Sequence, residues 1–257
     1  MLYGSDWRTA DALNYLNFLG ATAFAWEFLR REPTYQADYQ SMVSAGATPS
    51  EMSERVAHRG LECAVDPSLR ADCAPVAWQP GLNPTTVVVA PAPDKFAKAR
   101  SISELTPAFS CCSADGEHWL LGQGSDALSV KLIDGANTTG PSAVVIPFDS
   151  SYNMRVEAAL CLGNAIATGT PGRAPETLTE QQRSRLKLIL RALDGRLAGY
   201  SYREIAEVLF GPDSVPAGRA WTSCELYSQI RRLCNRGRDL MNGAYLDLLR
   251  HPRQFRC

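Results

Sequence analysis

The residues best suited to chemistry lie near the C-terminus. Projecting residues 222–242 as a helix at about 100° per residue gathers Leu226, Ile230, Leu233 and Gly237 in one narrow arc. Ser228, Arg231, Arg232 and Asn235 fall on the opposite side, with Tyr227 and Arg238 flanking them. A guanidinium can hold a guanine edge through two hydrogen bonds, and an asparagine amide can hold an adenine edge. Tyrosine, serine and arginine also hold phosphates. Thr222 and Ser223 open the helix, where amides and hydroxyls can meet a phosphate, and Arg219 lies just before them. The expected nucleic-acid contacts are therefore Arg231, Arg232, Asn235 and Tyr227 for bases or phosphates. Arg219, Thr222, Ser223 and Arg238 are expected mainly at phosphates. The competing reading is an arginine-rich helix face that is simply solvated.

Other chemistry is sparse. Cys111-Cys112 precedes His118 in what reads as one hairpin, so a thiolate with a nearby base is conceivable. No third group is placed by sequence to orient the base, and alternate strand residues face opposite ways. No phosphate-binding loop, dinucleotide fingerprint, G-x-S-x-G elbow or H-E-x-x-H occurs. None of the eight cysteines forms a C-x-x-C pair and the three histidines are far apart, which argues against a zinc finger. Asp6, Asp11 and Glu27 read as caps and solvated helix charges. The expectation is no enzyme, no metal and no cofactor.

A recognition helix needs a brace. Ser201-Tyr-Arg-Glu-Ile-Ala-Glu-Val-Leu-Phe-Gly211 has Ser201 and Glu204 spaced as a capping box, an apolar face of Ile205, Ala206, Leu209 and Phe210, and a glycine to end it. Before it, Thr179-Glu-Gln-Gln182 caps a helix whose stripe is Leu186, Ile189, Leu190, Leu193 and Leu197. Thr222-Ser-Cys-Glu225 reads as a third capping box. Three capped helices in the order long, short, long predict a helix-turn-helix variant. The connection 211–221, with Pro212 and Pro216, is longer than the usual three or four residues. A final short helix is expected over 245–250.

Residues 1–60 read as helices over 11–19, 24–31, 35–45 and 49–58, dense in aromatics that serve a shared core or a docking face for another protein. Residues 61–150 carry short strand-like runs at 85–90, 109–113, 119–123, 128–134 and 143–148, with Asp115-Gly116 as a hairpin turn. Such close strands predict an antiparallel sheet. Residues 135–140 and 169–175 read as turn-rich connections, and a helix over 151–170 places Val156, Ala159, Leu160 and Gly163 on one face. The expected fold class is α+β. It comprises a helical domain over 1–60 and a second over 61–257, in which the β-rich part (61–150) packs with the helical part (151–257).

The chain of 257 residues has a net charge of −1, which hides an asymmetry. Residues 176–257 carry 14 Lys/Arg against 9 Asp/Glu, whereas residues 1–175 carry 12 against 18. A basic C-terminal third suits a nucleic-acid module joined to a partner-facing one. No run is long and apolar enough to span a membrane, and the first twenty residues lack a signal-peptide layout. A cytoplasmic protein, nucleoid-associated when on DNA, with cysteines mostly as free thiols, is the expectation.

Asp6-Trp7-Arg8, Ala10-Asp11-Ala12, Trp26-Glu-Phe-Leu-Arg-Arg31 and Pro33-x-Tyr35 together resemble the transcriptional regulator-like domain of proteobacterial mobile-element proteins. Leu190-Arg-Ala-Leu-Asp-Gly-Arg-Leu-Ala-Gly199, Ser201-Tyr-Arg-Glu-Ile-Ala206, Leu209-Phe-Gly211, Arg236-Gly-Arg238, Met241, Gly243, Tyr245 and Leu248-Leu-Arg250 resemble the helix-turn-helix-variant domain found beside it. The pairing is similar to FseA-like activators of excision of integrative and conjugative elements. That resemblance implies promoter DNA as a partner and activation of an excisionase gene, hence excision and conjugative transfer under quorum-sensing control. It also implies a small antiactivator related to the C-terminal domain, and RNA polymerase is the expected partner of residues 1–60. Two further readings remain open at this point: an antiactivator that never touches DNA, and an accessory DNA-binding factor in excision.

Overall fold

The computed structural model describes residues 7–96, 98–113, 115–124, 127–133, 139–170, 174–175 and 177–255. Asp6, Cys257, most of the 135–140 connection and the centre of 169–175 lie outside them.

The N-terminal part is helical, as its apolar spacing predicts. A 3-10 helix Ala10–Leu16 buries Leu13 and Leu16 and is followed by α1 (Ala21–Leu29), α2 (Pro33–Ser44) and α3 (Pro49–Val56). Proline opens α2 and α3, where a missing N–H costs nothing. Thr48 caps α3 in a box with Glu51. α1 is buried nearly all round: Phe24, Trp26, Phe28 and Leu29 have no exposed surface. Trp7 and Tyr35 are likewise core residues, whereas Phe18 is exposed.

The middle forms one five-stranded sheet, ordered β2-β3-β4-β1-β5, from β1 (Val87–Pro91), β2 (Phe109–Ser113), β3 (Gly116–Leu121), β4 (Leu128–Ile133) and β5 (Ser142–Val145). The fold is α+β. Three of the four strand pairings are antiparallel, but β1 runs parallel to β4 with Val87 opposite Val130. Close strand spacing could not reveal this, because the two partners are separated by the whole β2–β3 hairpin. At Gly116, which closes the hairpin, φ is +133° and an added Cβ would lie 1.9 Å from the Leu132 carbonyl oxygen. Only glycine fits there.

One sheet face carries Val87, Val89, Trp119, Leu121, Leu128, Val130 and Leu132, covered by α4 (Tyr152–Thr168) through Ala158, Leu162 and Ala165. This corrects the expected α4 face: Leu160 is 64% exposed and Gly163 faces solvent. The opposite sheet face is polar and buried. Asn83 donates to Thr86 and Thr86 to Ser129, whose hydroxyl shares a hydrogen bond with His118 Nε2 at 2.6 Å. Burial, with Lys131 nearby, depresses the His118 pKa to about 3, so this imidazole is neutral. Cys111 does stand opposite His118, as a hairpin requires, but it is disulfide-bonded to Cys63 and is no free nucleophile. The expectation of free thiols is thus corrected for this pair. Cys73, Cys112, Cys161, Cys224 and Cys234 are free.

The C-terminal helices are α5 (Glu180–Leu197), α6 (Tyr202–Phe210), a four-residue α7 (Ala220–Ser223), α8 (Glu225–Asp239) and α9 (Tyr245–Arg250). A π turn over Leu240–Ala244, with Gly243 at φ +122°, bends the chain from α8 into α9. The N-terminal helices and these C-terminal helices share one continuous hydrophobic cluster, whereas the sheet and α4 form a second.

Candidate nucleic-acid interface

α5, α6 and α8 pack as a trio. Thr179 and Gln182 exchange capping hydrogen bonds at the start of α5, as Ser201 and Glu204 do at the start of α6. The Ser201 amide, and then its hydroxyl, hold the Glu204 carboxyl below its ordinary pKa. α6 seats Ile205 and Ala206 in the core, and the helices come close where glycine allows it. A Cβ on Gly195 would lie 2.9 Å from Ile205, and one on Gly237 would lie 2.9 Å from Leu193 Cβ and 3.3 Å from the Ile189 carbonyl oxygen. Gly237 therefore sets the depth at which α8 lies on α5.

The long connection between α6 and α8 is ordered rather than slack. Gly211 (φ +88°) ends α6, Pro212–Ser214 make a 3-10 turn, and Arg203 bridges Glu207 and the Pro216 carbonyl oxygen. α7 then inserts Trp221, 7% exposed, against Tyr227, whose ring also meets Tyr202 edge-on. The expected capping box at 222–225 is absent. Cys224 is the N-cap of α8, and its sulfur accepts from the Tyr227 amide while donating to the Trp221 carbonyl oxygen. A weak sulfur acceptor stands in a place usually held by oxygen, which is why the sequence pointed to Thr222 as the cap.

The solvent face of α8 follows the projection. Ile230, Leu233, Cys234 and Gly237 are buried against α5, while Ser228, Arg231, Arg232, Asn235 and Arg238 are exposed. The remaining arginine of the helix, Arg236, turns away from this row and lies over the Phe255 ring, 4.9 Å from its centroid. Among the described residues, no ion pair neutralises Arg231, Arg232 or Arg238. Arg219 is exposed at the start of α7. Thr222 and Ser223 are exposed, but their hydroxyls donate to the carbonyl oxygens of Arg219 and Ala220, and both residues lie before the α8 N-cap. Tyr227 is half-buried between two rings. The structure thus gathers Arg231, Arg232, Asn235 and Arg238 on one helix face and sets Arg219, Thr222 and Ser223 beside its N-terminal end.

Sequence reading missed how the N-terminal segment grips this unit. Arg191 of α5 donates to the Trp7 and Arg8 carbonyl oxygens, Trp7 packs on Tyr200 at 5.2 Å, and the Arg8 guanidinium lies over the Tyr200 ring and bonds its hydroxyl. Deeper in, Arg31 makes two hydrogen bonds to Asp194 of α5, at 2.6 and 2.9 Å, with Arg31 fully buried and Asp194 6% exposed. Glu27, also fully buried, pairs with Arg31 and Arg30 and accepts from the Ala71 amide. This corrects its reading as a solvated charge. Burial alone would push the Glu27 carboxyl up, but the two guanidinium groups and the amide hold it below its ordinary pKa. Asp11 is exposed, as expected, and accepts from Asn14.

Among the described residues, no group of His, Cys, Asp and Glu is placed to hold a metal ion, and no helix is long and apolar enough to cross a membrane. Residues 6–62 match the family described as proteobacterial transcriptional regulator-like domain. Residues 145–250 match the RovC-type family described as T6SS, transcription factor, DNA binding domain. Both are families of transcription regulators and DNA-binding domains rather than of enzymes. No curated protein matches the chain. The two matches support a transcription factor with a DNA-binding region, and all three trio helices lie inside the second match.

Proposed function

We propose that α8 reads promoter DNA and that the protein is a transcriptional activator. The observation that carries this is the exposed row Ser228, Arg231, Arg232, Asn235 and Arg238 on a helix whose other side is locked into the core. Arg231, Arg232 and Asn235 are assigned to base edges or phosphates. Arg219 and Arg238 are assigned to phosphates, which Thr222 and Ser223 can join by turning their hydroxyls from the local carbonyl groups. Tyr227 can offer its hydroxyl to a phosphate while its ring braces α7.

On this reading residues 1–60 form the regulator-like domain and contact RNA polymerase, while residues 61–257 carry the sheet and the DNA-binding helices. The protein is cytoplasmic and nucleoid-associated when bound. The resemblance to excision activators supports an excisionase promoter as the target, with excision and transfer of a mobile element as the outcome and a related small antiactivator as the partner that silences it. The description of the matched DNA-binding family favours a second target class, genes of a type VI secretion system.

Genome-wide footprinting of the full chain in its host, beside the Arg231→Ala, Arg232→Ala double variant, tests the proposal. Peaks upstream of an excisionase gene that vanish in a folded double variant support it. Peaks at secretion genes select the second target. Unchanged peaks in the double variant would overturn the assignment of α8.

A further inference from the structure

Glu62 and Cys63, consecutive in sequence, fasten to two points of one row of residues across the sheet. The row is Cys111 on β2, His118 on β3 and Lys131 on β4, paired in register. Cys63 is bonded to Cys111, and the Glu62 carboxylate takes the Lys131 ammonium at 2.9 Å, with side-chain exposures of 6% and 1%. The same segment is anchored on its other side, because Leu61 bridges Trp78 and the Glu62 amide donates to the Ala77 carbonyl oxygen. Leu61, Val65 and Trp78 belong to the helical cluster, whereas the sheet and α4 form the separate one. Residues 62–63 therefore sit on the seam between two bodies. β2 is an edge strand, so apart from this seam its ladder to β3 is what holds it in the sheet.

We propose that the Cys63–Cys111 bond is a reversible redox fastener between the sheet and the helical body. Oxidised, it clamps the β2 edge. Reduced, β2 is left with its ladder to β3 and the hydrogen bond from Lys131 to Ser113, and this edge loosens while β4 holds β3 on its other side. Cys63 is buried and Cys111 is half-buried, so a thiol reaches the bond from the Cys111 side. A thiolate of a small dithiol attacks Cys111 Sγ, the S–S bond breaks, and the Cys63 thiolate leaves and takes a proton. The second thiolate of the reductant then attacks the mixed disulfide. Cys111 leaves as a thiolate that is protonated, and the reductant departs as its cyclic disulfide. Two electrons and two protons pass to the protein. The buried residues of α5, α6 and α8 belong to the helical cluster, so the reading face is not part of what loosens.

Hydrogen exchange read by mass spectrometry, on the full chain held in oxidised glutathione or in dithiothreitol, tests this beside non-reducing peptide mapping. Closing a chain segment of 48 residues is a strong local constraint, so exchange over residues 109–113 should quicken at least about tenfold on reduction. Exchange over 186–193 and 230–237 should hold, with DNA affinity unchanged within about twofold. Cys63→Ser and Cys111→Ser should match the reduced state in both buffers, while Cys112→Ser keeps the response. Absence of a linked Cys63–Cys111 peptide in the oxidised sample would overturn the proposal. So would equal β2 exchange in the two wild-type states, a measurement that does not depend on any variant folding.

Discussion

Replacing Asp194 by asparagine should destabilise the whole helical body, not only α5. Arg31 has no exposed surface, and its guanidinium commits two N–H groups to Asp194. Without that charge it leans harder on Glu27, which Arg30 already shares. Removing one partner of a buried pair costs about 3–5 kcal/mol. Asparagine preserves the volume and one acceptor, so a cost of about 3 kcal/mol is expected, lowering Tm by roughly 6–12 °C at this chain length. Arg31→Met should cost at least as much, because it leaves Asp194 buried and unpaired. The double variant Arg31→Met, Asp194→Asn removes both charges and should fall short of the summed single costs by about 2 kcal/mol or more. Urea unfolding at pH 7, followed by Trp fluorescence and by circular dichroism, measures all four proteins. An Asp194→Asn cost under about 1 kcal/mol together with additive single variants would refute the claim that this pair couples the N-terminal motif to α5.

Other consequences follow from particular contacts. Gly237→Val drives a branched side chain into Leu193 and the Ile189 carbonyl; it should cost about 1–3 kcal/mol in urea unfolding, against a small gain in helix propensity. Ser201→Ala removes the α6 cap and should cost about 1 kcal/mol, with Ser201→Thr nearly neutral in the same assay. His118 is held neutral, with its pKa depressed to about 3 from an ordinary 6.5. The unfolded chain therefore binds the extra proton between those values, so the stabilisation present above pH 6.5 is lost as pH falls. The slope approaches about 1.4 kcal/mol per pH unit. Urea midpoints between about pH 6.5 and 4.5 should show this slope in the wild type and lose it in His118→Gln.

The sequence was most legible where structure is local. α6 lies where its apolar spacing and caps place it, α9 lies where its leucines do, and β2 matches its predicted residues. Capping boxes and turns act over three or four residues, so one window contains the whole cause. What escaped depends on partners far along the chain. The β1–β4 pair is parallel, and the exposed face of α4 is decided by a sheet laid down earlier. Glu27 reads as a solvated charge because its sequence neighbours do not reveal that it is buried, and nothing in the spacing of Arg31 points to a partner 163 residues away. Cys63 and Cys111 show no pairing signal for the same reason. On α8 the buried stripe was legible and its first turn was not, because Cys224 caps it. The exposed arginine face emerges from the 3.6-residue period alone, whereas the grip of Trp7 and Arg8 on Tyr200 does not.

On the proposed function, α8 meets DNA through its arginines. Fluorescence anisotropy with a footprinted promoter fragment, titrated over a range of salt concentrations, tests it on the wild type, Arg231→Ala, Arg232→Ala and Arg238→Ala. A base-reading arginine should cost about 1–3 kcal/mol and relax preference at one base pair. A phosphate-holding one, as assigned to Arg238, should weaken binding to all sequences and lower the salt slope by about one. Unchanged affinity and slope in all three folded variants would rule out α8 as the DNA-reading helix.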